Sequence, residues 1–391
     1  MSDQTYLNWP FFEDCHRKWS QKVEEFAAGL SIDHNDVDAT CRDLVQNLGE
    51  SGLLKATSSD DGTFDELKLC LIRDILARHD GLADFSFAMQ GLGTGALTLF
   101  GSEVQKNLWL PLTRSGQAIS AFALTEPGSG SDVANSMMTA ERDGDDYVLN
   151  GEKTWISNGG IADIYTVFAR TGEAPGARGL SAFVISPDLS GFAVKERLQT
   201  IAPHPLATLR FEDCRVPASA MIGTAGQGFK IAMSVLDVFR PTVAAAALGF
   251  ARRALDEALI RVSERHVQGA PLFDLQMVQG HIADMSLNID ASALLVYRAA
   301  WAKDTHTPRI TKEAAMAKLF STEQAQKVID TAVQLFGGDG VRSGMPVEQL
   351  YRDIRALRIY EGASDVQKVI IAHQAMSTTT NTSQEIRPKG I

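Results

Sequence analysis

Hydrophobic positions change their spacing twice along the chain. From residue 9 to about 118 they recur at helical intervals: Cys15, Trp19, Val23 and Phe26 fall four, four and three residues apart, and Ile72, Ile75 and Leu76 repeat the habit. Ser102 followed by Gln105, ahead of Leu108 and Trp109, has the form of a capping box, in which two side chains satisfy each other's backbone N–H at a helix start. Between about 119 and 228 the apolar residues come in short runs, Ile164 to Ala169 and Leu180 to Ile185 among them, separated by glycine and proline. Tyr147-Val-Leu, Asn150-Gly151 and Glu152-Lys-Thr-Trp read as a hairpin, because Asn-Gly supplies the positive φ angles of a type I′ turn. After Gly226-Gln-Gly-Phe the helical spacing returns and lengthens, with Val278, Ile282, Met285, Ile289, Ala293, Val296 and Ala300 on one stripe. The pattern predicts a helical domain over residues 1–118, a β domain over 119–228, a helical bundle over 229–376 and a mobile tail over 377–391, rich in Thr, Ser and Asn. Pro241 either opens a helix or kinks one.

Composition narrows the class. A chain of 391 residues exceeds what one hydrophobic core serves, so several domains are expected. With 45% hydrophobic and 22% charged residues it belongs with ordinary globular proteins. The net charge of −11, uninterrupted by any lysine or arginine run, argues against nucleic acid or an anionic membrane as partner. The opening Met-Ser-Asp-Gln-Thr lacks the basic and apolar regions of a leader, and there is no run of 18 apolar residues, which gives the expectation of a cytoplasmic protein. Cys15, Cys41, Cys70 and Cys214 show no Cys-x-x-Cys spacing and the histidines no His-Glu-x-x-His, so neither a disulfide frame nor a metal is expected.

Three stretches carry candidate chemistry. Glu361 stands between Tyr360 and Gly362 where an amphipathic helix pattern gives way; it is either a solvated glutamate at a helix end or a carboxylate facing a cavity. Leu124-Thr-Glu-Pro-Gly-Ser-Gly-Ser-Asp132 is a loop whose amides and hydroxyls can approach an anionic or heteroaromatic ligand, although most such loops are only turns. Trp155-Ile-Ser-Asn-Gly-Gly160 adds a large aromatic that serves either a core or a ligand.

Together these stretches resemble a known family. Thr125-Glu-Pro-Gly-Ser-Gly-Ser-Asp132, Asn150-Gly-Glu-Lys-Thr-Trp-Ile-Ser-Asn158, Gln334-Leu-Phe-Gly-Gly338 and Ile359-Tyr-Glu-Gly362 are similar, in order and spacing, to motifs of the acyl-CoA dehydrogenases, over roughly residues 10 to 375. The resemblance implies a multidomain α+β fold with an N-terminal helical domain, a central β-barrel-like domain and a C-terminal four-helix bundle, with FAD held between the last two. It implies flavin contacts from Phe122, Leu124, Thr125, Gly130 and Ser131, with Thr125 bonding to the isoalloxazine edge, and from Trp155, Ile156 and Ser157 against the ring. Ala363, Ser364 and Asp365 extend that cofactor site, and a neighbouring subunit completes it through the residues matching Arg265, Leu275, Gln276, Gln334, Leu335, Phe336, Gly337 and Gly338. A homodimer or homotetramer is therefore implied. Glu361 matches the base that removes the α-proton of an acyl-CoA while the β-hydride passes to the flavin, giving a trans-2-enoyl thioester. Ser131, Asp237, Arg240 and Gly362 match substrate-side positions, with an ion pair or bundle contact as the alternative for Asp237 and Arg240. Some family members carry the base on an earlier helix, and here that position is Phe239.

The chain also departs from the family pattern. Gln268 replaces an aromatic in Arg265-His-Val-Gln-Gly269, the stretch Leu198 to Leu209, with Pro203 and Pro205, replaces a Gly-Met-Arg-containing run, and His373 stands where an arginine often meets CoA, which leaves an acyl-carrier-protein thioester open. In the stretch Phe85 to Met89, where relatives acting on dicarboxylyl thioesters place an arginine, Ser86 stands and no basic residue occurs. Gly91, Gly93 and Gly95 either widen the acyl pocket or loosen a helix entry. The expected electron acceptor is an electron-transfer flavoprotein; the alternative is a flavin oxidase or monooxygenase on the same scaffold, in which reduced flavin meets oxygen.

Overall fold

The structure, a computed structural model, describes residues 3–305 and 309–385. Its chain divides into two compact units, residues 19–239 and residues 1–18 with 240–391.

Five helices come first: α1 (Asp14–Ala28), α2 (Val37–Glu50), α3 (Glu66–His79), α4 (Gly81–Phe100) and α5 (Glu103–Arg114). Aspartates start three of them, Asp36, Asp65 and Asp80 each accepting a backbone N–H of the first turn. The capping box of Ser102 and Gln105 is present at the head of α5. On α1 the buried face is His16, Ser20, Val23 and Ala27, which shares only Val23 with the stripe read from sequence: Cys15 is exposed, and Trp19 and Phe26 are half-buried. Larger apolar residues flank a face whose own members are small or polar, and that pattern hides from a search for hydrophobic period.

The following sheet has eight strands: β1 (Ser120–Ala123), β2 (Thr139–Asp143), β3 (Asp146–Ser157), β4 (Ile164–Arg170), β5 (Leu180–Ile185), β6 (Phe192–Arg197), β7 (Leu206–Pro217) and β8 (Met221–Ile222). They are ordered β6-β7-β3-β2-β4-β5-β8, with β1 parallel to β4. Asn150-Gly151 is not a turn. Strand β3 runs straight through it, and the β2–β3 hairpin closes between Asp143 and Asp146 instead. Gly151, at φ 142°, sits in a bulge against β7, where the Asn150 side chain and Asp213 exchange hydrogen bonds of 3.2 and 2.7 Å. A residue with positive φ serves a bulge as well as a turn. The two-residue turn with both φ angles positive is Gln268-Gly269 (53° and 88°), joining β9 (His266–Val267) to β10 (Ala270–Pro271).

Next in chain order after the eight-stranded sheet comes α6 (Gly228–Glu264), and Pro241 lies inside it rather than at its start. The helix is long and apolar enough to cross a membrane, but 78% of its most apolar window is buried inside the protein, so its apolarity serves packing. The glycines of α4 show the same economy of space. A Cβ on Gly91 would stand 2.6 Å from the Phe239 ring, one on Gly95 2.9 Å from Val235, and one on Gly93 2.4 Å from Ser120 Oγ. They neither widen a pocket nor loosen a helix entry; they let α6 and β1 approach α4 closely. Gly91→Ala should therefore destabilise the protein by about 1–3 kcal/mol, because the buried Phe239 ring has nowhere to retreat. A fall in the thermal midpoint of the protein measures it, and an unchanged midpoint contradicts it.

In the other unit, α7 (Gln276–Asp304), α8 (Thr311–Phe336), α9 (Pro346–Leu357) and α10 (Ser364–Glu385) join the rest of α6. Helix α8 is packed against α7, α9 and α10. The predicted stripe on α7 is buried except Ile282, which is half-buried. The first residues of the chain belong here too: Tyr6 stacks on Tyr297 with ring centres 5.6 Å apart, Phe12 meets the same ring edge-on at 4.7 Å, and the Arg252 guanidinium lies 4.1 Å over Tyr6. Helix α10 continues past Ser377 to Glu385, into the stretch expected to be a mobile tail, and residues 386–391 of that stretch lie outside the described residues.

Candidate active site

In the unit of residues 19–239, two sequence motifs form one construction. Strand β1 delivers the chain into the loop that begins at Leu124, where Glu126 and Ser129 exchange backbone hydrogen bonds of 3.1 Å each across Pro127-Gly128. The buried Glu126 carboxylate accepts the N–H groups of Met137 (2.5 Å) and Met138 (3.1 Å) and pairs with Lys153 of β3 at 2.7 Å. Lys153, fully buried, also donates to the Leu124 carbonyl at 3.0 Å, and Thr154 N–H donates to the Thr125 carbonyl at 2.9 Å. Burial pushes the Lys153 ammonium down to about 8 although Glu126 pulls the other way. The loop is thus clamped to β3 while its tip stays open. A Cβ on Gly128 or Gly130 would meet nothing within 4 Å, so packing inside this chain does not require those glycines.

Trp155 is no core residue. It is 59% exposed, has φ 58°, and lies where the β3–β7 register breaks between Lys153 and Ile156. Left-handed backbone at a bulky residue costs free energy, and its use to hold an aromatic out in solvent points to a binding role. Its neighbours differ: Ile156 is buried in the sheet and Ser157 half-buried. In the loop, Leu124 is buried, Phe122 and Thr125 are half-buried, and Gly130 and Ser131 are exposed. Asn158 donates its side chain to the Ser120 carbonyl (2.9 Å) and its N–H to the Pro205 carbonyl (2.9 Å), tying the Pro203–Pro205 loop to this stretch. His204 there packs 4.7 Å from the Phe85 ring, and burial lowers its pKa. An open glycine loop clamped beside an exposed, strained tryptophan fits a planar heteroaromatic group such as a flavin.

In the other unit, α9 ends at Leu357 and the chain turns through a left-handed pair, Glu361 at φ 51° and Gly362 at φ 94°, before α10. Three contacts nail this corner to α8. Arg358 forms a double bond pair with Glu323 (2.9 and 2.7 Å), Ser364 Oγ donates to Glu323 (2.6 Å), and Lys318 Nζ donates to the Gly362 carbonyl (2.9 Å). Gln367 Nε2 donates to that carbonyl as well, at 2.9 Å. Glu361 is half-buried with Oε2 out of solvent. Burial pushes Lys318 down to about 8, against the pull of Glu361. Arg240 is buried and its charge also bears on Lys318, whereas Asp237 is half-buried on α6. Ala363 and Ser364 are half-buried and Asp365 is exposed. Phe239, at the alternative base position, is packing: it is buried and meets Phe64 at 5.7 Å.

The remaining predicted residues lie at the ends of α6 and α8 and at the start of α7. Arg265, Leu275, Gln276, Gln334, Gly337 and Gly338 are exposed, Leu335 is half-buried, and Phe336 is buried beneath Arg261, which donates to its carbonyl at 2.9 Å and pairs with Asp339 at 3.0 Å. His373 is exposed on α10. Among the described residues no group of three or more His, Cys, Asp and Glu is placed to hold a metal ion. Sequence reasoning missed Lys318, Glu323 and Arg358. A signal existed for Lys318: it falls on a buried α8 face of Ala314, Ala315, Ser321, Thr322 and Ala325, where a lysine has no reason to be unless something answers its charge.

Residues 13–117, 121–214 and 226–376 match the N-terminal, middle and C-terminal domains of acyl-CoA dehydrogenases. The chain is 40% identical over 389 residues to the mitochondrial short-chain specific acyl-CoA dehydrogenase of Homo sapiens, covering 92% of this chain and 94% of that one. Among solved structures, butyryl-CoA dehydrogenase from Megasphaera elsdenii superposes with a TM-score of 0.86 at 32% identity, covering 93% of this chain and 99% of that one. A chain from a structure of the electron transferring flavoprotein of Acidaminococcus fermentans superposes with a TM-score of 0.87 at 33% identity, covering 93% and 98%. Three domain matches in order, spanning most of the sequence, leave one conclusion: the chain belongs to the acyl-CoA dehydrogenase family.

Proposed function

We propose that this chain converts an acyl-CoA to the trans-2-enoyl-CoA, with Glu361 as the base that takes the α-proton. The observation that carries the reading is the corner itself: a half-buried carboxylate held at φ 51° by contacts from α8, directly before a glycine at φ 94°. FAD is the cofactor, and when bound it supplies the two-electron acceptor for the β-hydrogen. The open loop Thr125–Ser131 and the exposed Trp155 hold its ring, the protein's task being alignment. Glu361, with Oε2 out of solvent, is a carboxylate of the kind that takes a proton as a general base. The backbone of Glu361 and Gly362 holds the thioester carbonyl as enolate character develops. Arg265, Gln276, Gln334, Gly337 and Gly338, exposed on this chain, serve the cofactor of a second copy in a homodimer or homotetramer. The electrons leave to an electron-transfer flavoprotein. Short acyl groups are the first to test, because relatives named for butyryl and short-chain substrates share most of the chain.

The test is anaerobic bleaching of the bound flavin by a panel of acyl-CoA esters, short, branched, aromatic and cyclic. A short or branched ester is expected to bleach it, and reduced enzyme mixed with air to reoxidise slowly. Rapid reoxidation would turn the assignment to a flavin oxidase, and a flavin that no ester bleaches would overturn it.

A further inference from the structure

Lys318 is a buried cation that the proposed reaction does not use. It lies on α8 among small side chains, with no solvent exposure, and donates to the Gly362 carbonyl at 2.9 Å. A neutral donor already reaches that oxygen from Gln367 at 2.9 Å, so hydrogen bonding alone does not explain a charge whose burial is costly. The charged groups acting on it are Glu361, Arg240 and Glu323. Glu323 is already engaged by both arms of Arg358, which leaves Glu361 as the anion that answers Lys318.

Resting on the reading of Glu361 as base, we propose that Lys318 is a positioning residue for it. From α8 it holds the carbonyl of Gly362, the second residue of the left-handed turn, and its charge favours the ionised carboxylate that accepts the proton. The sign follows from electrostatics: a cation beside a carboxylate stabilises its charged form, so removing the cation moves the acidic limb of the rate profile to higher pH.

The experiment follows anaerobic flavin reduction against pH in FAD-loaded Lys318→Met, Lys318→Gln and Glu361→Gln, with an acyl-CoA that bleaches the parent enzyme. Lys318→Met is expected to bind FAD with an unchanged visible spectrum, to reduce its flavin roughly 10–100-fold more slowly and to show an acidic limb about one unit higher. Lys318→Gln keeps a donor without the charge, so it should show the same limb shift with a smaller rate loss at high pH. A parent-like rate and limb in either loaded variant overturns the proposal. If Lys318→Met does not load FAD, Lys318→Gln decides alone; failure of both also counts against it, since it assigns Lys318 to the base and not to the fold. A Glu361→Gln enzyme that reduces its flavin at the parent rate instead sinks the base reading itself, whereas an inert Glu361→Gln beside a parent-like Lys318→Met removes Lys318 alone.

Discussion

Glu361→Gln is expected to lower flavin reduction by acyl-CoA on the order of a thousand-fold or more while FAD stays bound. Glutamine keeps the length and shape of the side chain, and the contacts that fix the corner come from Lys318, Gln367 and Arg358, none of which requires the Glu361 carboxylate as hydrogen-bond partner. The left-handed turn should therefore survive, at a cost in stability because the buried Lys318 ammonium loses the anion that answers it. What disappears is basicity, since an amide oxygen does not take a proton from carbon at neutral pH. No substitute is at hand, because the family's other base position is filled by the buried Phe239. Stopped-flow reduction under anaerobic conditions reads the rate, and the visible spectrum of the oxidised enzyme reads cofactor retention. A variant that reduces at the parent rate contradicts the assignment; one that has lost FAD would show that the corner serves binding instead. Glu361→Asp, one methylene shorter, should fall between the two enzymes, because the base is present but withdrawn from the carbon it must reach.

The Glu361–Gly362 corner was legible because its signal is local. A glutamate followed by a glycine at the end of a helical pattern is a short signal, and the structure shows both residues with positive φ there. The helix–sheet–helix succession was legible for the same reason, since period two and period 3.6 are properties of short windows. Failures came wherever a residue's role is set by a distant partner. Asn150-Gly151 looks like a turn until β7 is beside it, when the same backbone freedom makes a bulge held by Asp213. Gly91 and Gly95 look permissive until Phe239 and Val235 fill the space that a Cβ would need. Trp155 was open between core and ligand, and only its φ of 58° and its exposure take it out of the core. Lys153 and Glu126 stood inside two recognised motifs without suggesting a pair, because 27 residues separate them in sequence.

That pair carries the second large effect. Glu126→Ala is expected to destabilise the protein by about 3–5 kcal/mol and to weaken FAD retention. The truncation removes three interactions at once: it leaves a fully buried ammonium with only the Leu124 carbonyl at 3.0 Å, and it orphans the N–H groups of Met137 and Met138. Because Lys153 and Thr154 clamp Leu124 and Thr125, the damage falls on the base of the loop proposed to hold the flavin. Thermal melting with and without added FAD, together with the FAD content after gel filtration, measures both consequences. The double variant Glu126→Gln/Lys153→Met separates them. It removes both charges and leaves an amide oxygen for one backbone N–H, so stability should recover most of the loss, since an apolar replacement of both ions in a buried pair costs little. FAD retention should recover less, because methionine gives the Leu124 carbonyl no donor and the loop loses its tether. Full recovery of both would mean that the clamp is a matter of charge balance and not of position, and a Glu126→Ala protein as stable as the parent would mean that the buried pair is not holding the loop at all.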